Sequence, residues 1–207
     1  MAKRCVIIGA ATILNYDRVK SYLRPDDFFI FCDGGLNHAE KLGVKPDLIV
    51  GDFDSHIRPR TSTEIIQLPR EKDDTDSFFA CKEGVRRGFS DFLLIGMLGQ
   101  RFDHSLVNIS ILLYLKKLGK QGLLVDDYSE MEILSSEVLK IPEKFAYFSL
   151  LCIAGDVSGV NIKNAKYPLE NGNIKSDFQY ACSNEVLPGK TAEVSVENGW
   201  LLLVKVF

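Results

Sequence analysis

Along the first two thirds of the chain, short, mainly apolar runs alternate with stretches whose apolar residues recur every three or four positions. The runs Cys5–Gly9, Phe28–Cys32, Asp47–Val50, Ile65–Leu68, Phe92–Leu98 and Leu123–Val125 read as strands buried on both faces. Between them, Tyr16–Leu23, Asn37–Leu42, a segment opened by Asp73–Asp76 and a longer one from Asp103 to Leu118 read as helices. Gly43 and Gly119 stop two of them, and Asp or Thr caps suit the starts. In the segment after Asp76, Phe78, Cys81, Val85 and Phe89 recur at helical spacing. Strands apolar on both faces that alternate with helices predict a parallel, Rossmann-like three-layer α/β domain over residues 1–129.

From about Glu130 the period shortens. Met131–Leu134, Phe145–Ile153, Val160–Ile162, Phe178–Ala181, Ala192–Val196 and Trp200–Val206 read as strands separated by turn signals. Residues 130–207 are therefore expected to form an antiparallel β-sandwich. Asn171-Gly172 and Asn198-Gly199 suit tight hairpins, the second joining the last two strands.

Charge narrows the partners. With 25 Lys and Arg against 28 Asp and Glu among 207 residues, and basic residues clustered only in pairs such as Arg86-Arg87, no nucleic-acid surface is expected. No run is long enough to span a bilayer, and Met1–Arg4 leads into Cys5–Leu14 without a cleavage site, so neither membrane attachment nor a signal peptide is expected. Five isolated cysteines read as free thiols of a cytoplasmic protein.

The chemistry lies at the carboxyl ends of the predicted strands, where open α/β sheets bind ligands. Those ends carry Asp33-Gly34-Gly35, Gly51-Asp52-Phe53-Asp54-Ser55, the loop Asp73–Asp76, and Gly99–His104 with Arg101. If the segment after Val50 stays extended, Asp52 and Asp54 point to one side and converge on a cation while Phe53 turns away. Hard cations such as Mg²⁺ take carboxylate and phosphate oxygens. No Walker loop, dinucleotide fingerprint, nucleophile elbow or zinc spacing of His38, His56 and His104 competes with that reading. Phosphoryl-type transfer organised by Mg²⁺ and carboxylates fits what is left.

In order, Asp33-Gly34-Gly35, Gly51–Ser55, Lys72–Asp76, Gly99–His104 followed by Asn108, Lys166-Tyr167-Pro168-Leu169 and Ser183-Asn184-Glu185 resemble the motifs of thiamine pyrophosphokinases over nearly the whole chain. The resemblance implies transfer of the diphosphate of ATP to the hydroxyl of thiamine, giving thiamine diphosphate and AMP. It implies Asp52, Asp54 and Asp76 as Mg²⁺ ligands, with Asp33 and Asp73 completing an acidic catalytic cleft. Gly34, Gly35, Arg101, Asp103 and His104 would lie along ATP. It also implies a homodimer in which Ser183 and Asn184 reach thiamine from the partner subunit. Gln100 stands where many relatives have a second glycine, and Ala165 replaces a bulkier apolar residue.

Local readings stand beside these roles. Asp74 and Asp103 fit helix caps, Arg101 could pair with Asp103 on the surface, His104 could bond only locally, and Tyr167 and Trp200 read as core aromatics. A diphosphotransferase acting on another alcohol, such as a hydroxymethyl pterin, and a non-catalytic sensor of nucleotide or thiamine diphosphate are the competing functions.

Overall fold

A computed structural model describes residues 3–53, 59–99 and 101–207. The chain forms two compact units, Met1–Asp127 and Tyr128–Phe207. Among the described residues, no helix is long and apolar enough to cross a membrane.

The first unit is a six-stranded parallel sheet. Its strands are β1 (Cys5–Ile8), β2 (Phe28–Cys32), β3 (Leu48–Gly51), β4 (Glu64–Gln67), β5 (Asp91–Ile95) and β6 (Gln121–Val125), in spatial order β4-β3-β2-β1-β5-β6. The central strand β1 is wholly buried, whereas the edge strand β4 has exposed ends, Glu64 and Gln67, around two half-buried isoleucines. That gradient is why the middle strands are continuous apolar runs: water reaches neither face. Each fully buried Ile, Leu or Phe there contributes about 1.5–3 kcal/mol of transfer free energy.

The helices are α1 (Tyr16–Lys20), α2 (Ala39–Leu42), α3 (Asp76–Arg86) and α4 (Phe102–Lys117), with a 3₁₀ segment, Asp33–His38, leading into α2. The Phe78 and Tyr114 rings meet at 5.1 Å where α3 packs on α4. The N-cap of α3 is Thr75, whose Oγ1 accepts from the Phe78 N–H at 3.2 Å; Asp74 instead pairs with Lys82 at 2.9 Å. Likewise Asp103 lies inside the first turn of α4 rather than capping it, because Arg101 takes the N-cap position.

The second unit carries two antiparallel sheets. One has the order β7-β13-β9, built from Ser129–Leu134, Leu201–Val206 and Tyr147–Cys152; the other has the order β11-β10-β12-β8, built from Leu169–Ile174, Val157–Lys163, Thr191–Ser195 and Leu139–Pro142. A single buried cluster draws Leu150 and Leu203 from the first sheet and Ile162, Val194 and Ile141 from the second, so the unit is a β-sandwich.

Both expected hairpins are corrected. β12 and β13 belong to different sheets, so Asn198-Gly199 turns the chain between layers; Asn198 bridges to Ser158, and Gly199 takes φ 103°. Asn171-Gly172 lies within β11, with Asn171 at φ 48° producing a register shift opposite Val160. Phe178–Ala181 is no strand, and the short β8 and β11 carry too few apolar residues to have stood out.

Candidate functional site

In the order β4-β3-β2-β1-β5-β6 the chain reverses direction across the sheet between β1 and β5, and a crevice opens beyond their carboxyl ends. A cleft of about 680 Å³ occupies this place. Its walls include Gly9–Thr12 after β1, Asp33 and Gly34 after β2, Asp52 after β3, Arg70–Asp76 in part, and Gly96–His104 in part.

Three carboxylates converge there. Asp33, Asp52 and Asp76 each offer an oxygen, and these oxygens lie within 4.8 Å of one another. Each is placed by the end of an element. Asp33 leaves β2 in the left-handed region, φ 32°, where an aspartate is tolerated better than a branched residue. Gly51 ends β3 directly against it: a Cβ at position 51 would lie 3.0 Å from the Asp33 Cβ. Asp76 opens α3, whose start is tied into the fold by a relay of side chains. The Thr75 and Ser77 hydroxyls meet at 3.1 Å, Ser77 Oγ donates to Asn108 Oδ1 at 2.5 Å, and Asn108 Nδ2 donates to the Met97 carbonyl at 2.7 Å.

A cation sits among the acids. Lys72 Nζ lies 2.6 Å from Asp52 Oδ2 and 2.8 Å from Asp76 Oδ1, with its side chain only 17% exposed. Burial disfavours the charge, but the hydrogen bonds and charges of Asp52 and Asp76 outweigh it and hold the ammonium above its ordinary range. Cys32 lines the same cleft; burial, followed by the charge of Asp76, pushes its thiol well up.

The positions expected from sequence divide clearly. Asp33, Asp52 and Asp76 come together. Asp54 and Gln100 lie outside the described residues. β3 ends at Gly51, and Phe53 takes φ 54°. Asp73 is exposed and is not among the residues lining the cleft.

Gly34 lines the wall, whereas Gly35 packs behind it, its absent Cβ leaving room for the Ile8 carbonyl 2.3 Å from where that atom would be. Arg101 and His104 lie on the rim. Arg101 forms a two-pronged pair with Asp103 at 2.7 and 3.0 Å, both side chains being more than 60% exposed, and Asp103 is held well below the usual carboxylate range by it.

In the second unit, Asn184 is buried and its amide is committed to the Tyr167 backbone, accepting from N–H at 3.0 Å and donating to C=O at 2.8 Å. It thereby holds Tyr167 with 60% of its surface exposed, correcting the core reading of that ring. Ser183 is exposed at φ 56°, its N–H donating to Ser149 Oγ at 3.0 Å.

Sequence reasoning assigned no role to Lys72 or Arg70. Lys72 had one signal, its place four residues before Asp76 in a loop with three acids. His38 is buried in the 3₁₀ segment and holds the cleft's other wall: Nε2 lies 3.0 Å from the Ala11 carbonyl, which can only accept, so Nδ1 accepts from the Tyr16 hydroxyl at 2.7 Å.

The model of the thiamin pyrophosphokinase catalytic domain matches residues 19–122, half of the chain, and that of the thiamin pyrophosphokinase vitamin B1 binding domain matches residues 136–201. The chain belongs to the thiamin pyrophosphokinase family. The thiamine pyrophosphokinase of Bacillus subtilis strain 168 is 25% identical over 192 residues, 89% of each chain. A crystal structure of thiamine pyrophosphokinase from Bacillus subtilis superimposes with a TM-score of 0.88 at 22% identity over 99% of both chains. One from Geobacillus thermodenitrificans gives 0.83 at 24% identity over 99% of this chain and 97% of that one. Thiamin pyrophosphokinase from Candida albicans keeps the fold at 16% identity, with a TM-score of 0.74 over 99% of this chain and 89% of that one.

Proposed function

We propose that this chain is an ATP:thiamine diphosphotransferase whose reaction runs in the cleft between β1 and β5. The observation that carries the reading is the meeting of Asp33, Asp52 and Asp76 at that crevice in a chain matched by both thiamin pyrophosphokinase domains. The thiamine hydroxyl oxygen bonds to the β-phosphorus of ATP, the bond from that phosphorus to the α,β-bridging oxygen breaks, and AMP leaves with that oxygen.

The donor set is all carboxylate and held on three rigid element ends, which fits a hard divalent cation. Bound by Asp33, Asp52 and Asp76, Mg²⁺ would neutralise phosphate oxygens and fix the triphosphate. The chain's own groups do the remainder. Ser77 and Asn108 keep Asp76 in place, and His38 keeps the Ala11 loop against the cleft. Arg101 and His104 offer donors at the rim. The acidic wall draws in thiamine, itself a cation. Asp54 is kept as a candidate Mg²⁺ ligand beside Asp52 and Asp76, on its spacing and on the resemblance, and Asp73 as a candidate cleft acid on the resemblance. Ser183 and Asn184 of the partner subunit are proposed to complete the thiamine side in a homodimer; the exposed Tyr167 ring held by Asn184 supports a ligand-facing role for that loop. Five free cysteines, four of them buried, support a reducing, cytoplasmic setting.

The test is formation of thiamine diphosphate and AMP from thiamine, ATP and Mg²⁺. The unmodified chain is expected to form both in equal amounts, only with the metal, and Asp76→Asn to lose on the order of 10²–10³-fold in kcat, as removal of one preorganised charge-stabilising group does elsewhere. Absence of product from the folded, unmodified chain would sink the reading.

A further inference from the structure

The most unusual side chain in the cleft is Lys72. It comes from the loop between β4 and α3, is largely enclosed, and points its ammonium at Asp52 and Asp76, two of the three acids whose oxygens lie within 4.8 Å of one another. A divalent ion held by those oxygens and an ammonium 2.6–2.8 Å from two of them compete for the same lone pairs. The loop that carries Lys72 also brings Arg70 to the wall, so an ammonium released from the acids shares the cleft with a guanidinium.

We propose that Lys72 is a resident counter-ion of the carboxylate triad, displaced by the divalent cation and then taken up by nucleotide phosphate. The proposal rests on the reading of the triad as a metal site. It gives the lysine two jobs at different times. Without metal it offsets one of the three clustered negative charges, which otherwise repel one another. With metal and nucleotide it supplies a positive charge to the triphosphate. One consequence is a coupling: each ligand is helped by the other, because phosphate takes the ammonium off the acids and metal drives it toward phosphate.

The test separates these two roles by measuring each ligand alone. Mn²⁺ is titrated calorimetrically into the metal-free protein, and α,β-methylene ATP is titrated in the presence of EDTA. Lys72→Met is compared with the unmodified chain, with Lys72→Arg, and with Lys82→Met as a control for loss of one nearby surface charge. If the ammonium occupies the triad about nine-tenths of the time, removing it tightens Mn²⁺ binding about tenfold. Metal-free nucleotide binding by the same variant weakens by a similar factor, while Lys82→Met moves each by less than about twofold. A merely structural role would weaken both affinities or move neither.

Equal Mn²⁺ affinity in Lys72→Met and the unmodified chain overturns the displacement and leaves the metal site standing. No Mn²⁺ binding by any form defeats the metal reading and this one with it. Should Lys72→Met fail to fold, the unmodified protein still decides. The Lys72 Nζ resonance in a ¹⁵N spectrum is expected to shift on addition of one equivalent of Mg²⁺, and a resonance unmoved at saturating Mg²⁺ overturns the proposal.

Discussion

At the scale of single residues, the site depends on backbone states that few side chains tolerate. Asp33 sits at φ 32° directly against Gly51, whose missing Cβ leaves the space the carboxylate's own backbone needs. Gly51→Ala is expected to displace Asp33, costing about 1–3 kcal/mol by overpacking, and to weaken Mn²⁺ binding more than nucleotide binding. Thermal unfolding and a metal titration read the two effects; an alanine variant with unchanged metal affinity would show that Asp33 is no ligand. The same scale holds a dihedral that patterning cannot supply: Phe53, beyond the end of β3, takes φ 54°, and apolar periodicity carries no information about a single dihedral. Tyr167 was read as core because aromatic residues usually are; the Asn184 amide holding its backbone is a contact 17 residues away in sequence.

At the scale of elements, strand ends and helix starts do the positioning, and His38 shows how two of them are joined. Its ring must be neutral to donate to the Ala11 carbonyl while accepting from Tyr16, and burial, aided by the Lys41 charge, pushes its pKa below 6.5 even though the Ala11 contact opposes this. Between the lower folded value and the unfolded value of 6.5, the unfolded chain binds more protons. Stability is therefore full above the unfolded value and falls as pH drops through that window. The melting temperature is expected to decline from about pH 7.5 to about pH 5.5, and His38→Gln to flatten that slope. A slope unchanged in the variant would show that His38 is not its source. Of the elements themselves, β1, β2, β3 and β5 were visible as apolar runs because burial on both faces leaves almost no polar position to hide them, whereas β4 and β6 were visible by their apolar residues alone and keep exposed polar ends. The sandwich was legible as a class, but not in its pairings. Asn-Gly pairs mark positive φ, and the structure uses that freedom once for a bulge and once for a crossing between sheets.

At the scale of the whole molecule, the outstanding question is how the two units of separate chains meet. The homodimer proposed above predicts a particle of twice the 23.2 kDa chain in sedimentation. It also predicts complementation. Asp76→Asn disables a cleft and Asn184→Ala releases the Tyr167 loop; if each active site takes its cleft from one chain and that loop from the other, mixed dimers retain one intact site. Refolding the two inactive variants together at equal ratio should then restore about a quarter of the unmodified activity, the statistical share for a twofold assembly. No recovery, with dimers formed, would place cleft and loop of one site on the same chain.

The amino-acid sequence by itself determined the class of each unit, the strand ends that carry acids, and the family. Apolar periodicity and short ordered motifs are local properties, and they survive without a fold. Tertiary structure alone decided that the Asp33, Asp52 and Asp76 oxygens come within 4.8 Å of one another, that Lys72 lies among them, and that Asn184 supports Tyr167 through its backbone. Each of these depends on distances between residues far apart in the chain, set by parallel strand order and by which sheet a strand enters; no local pattern encodes them.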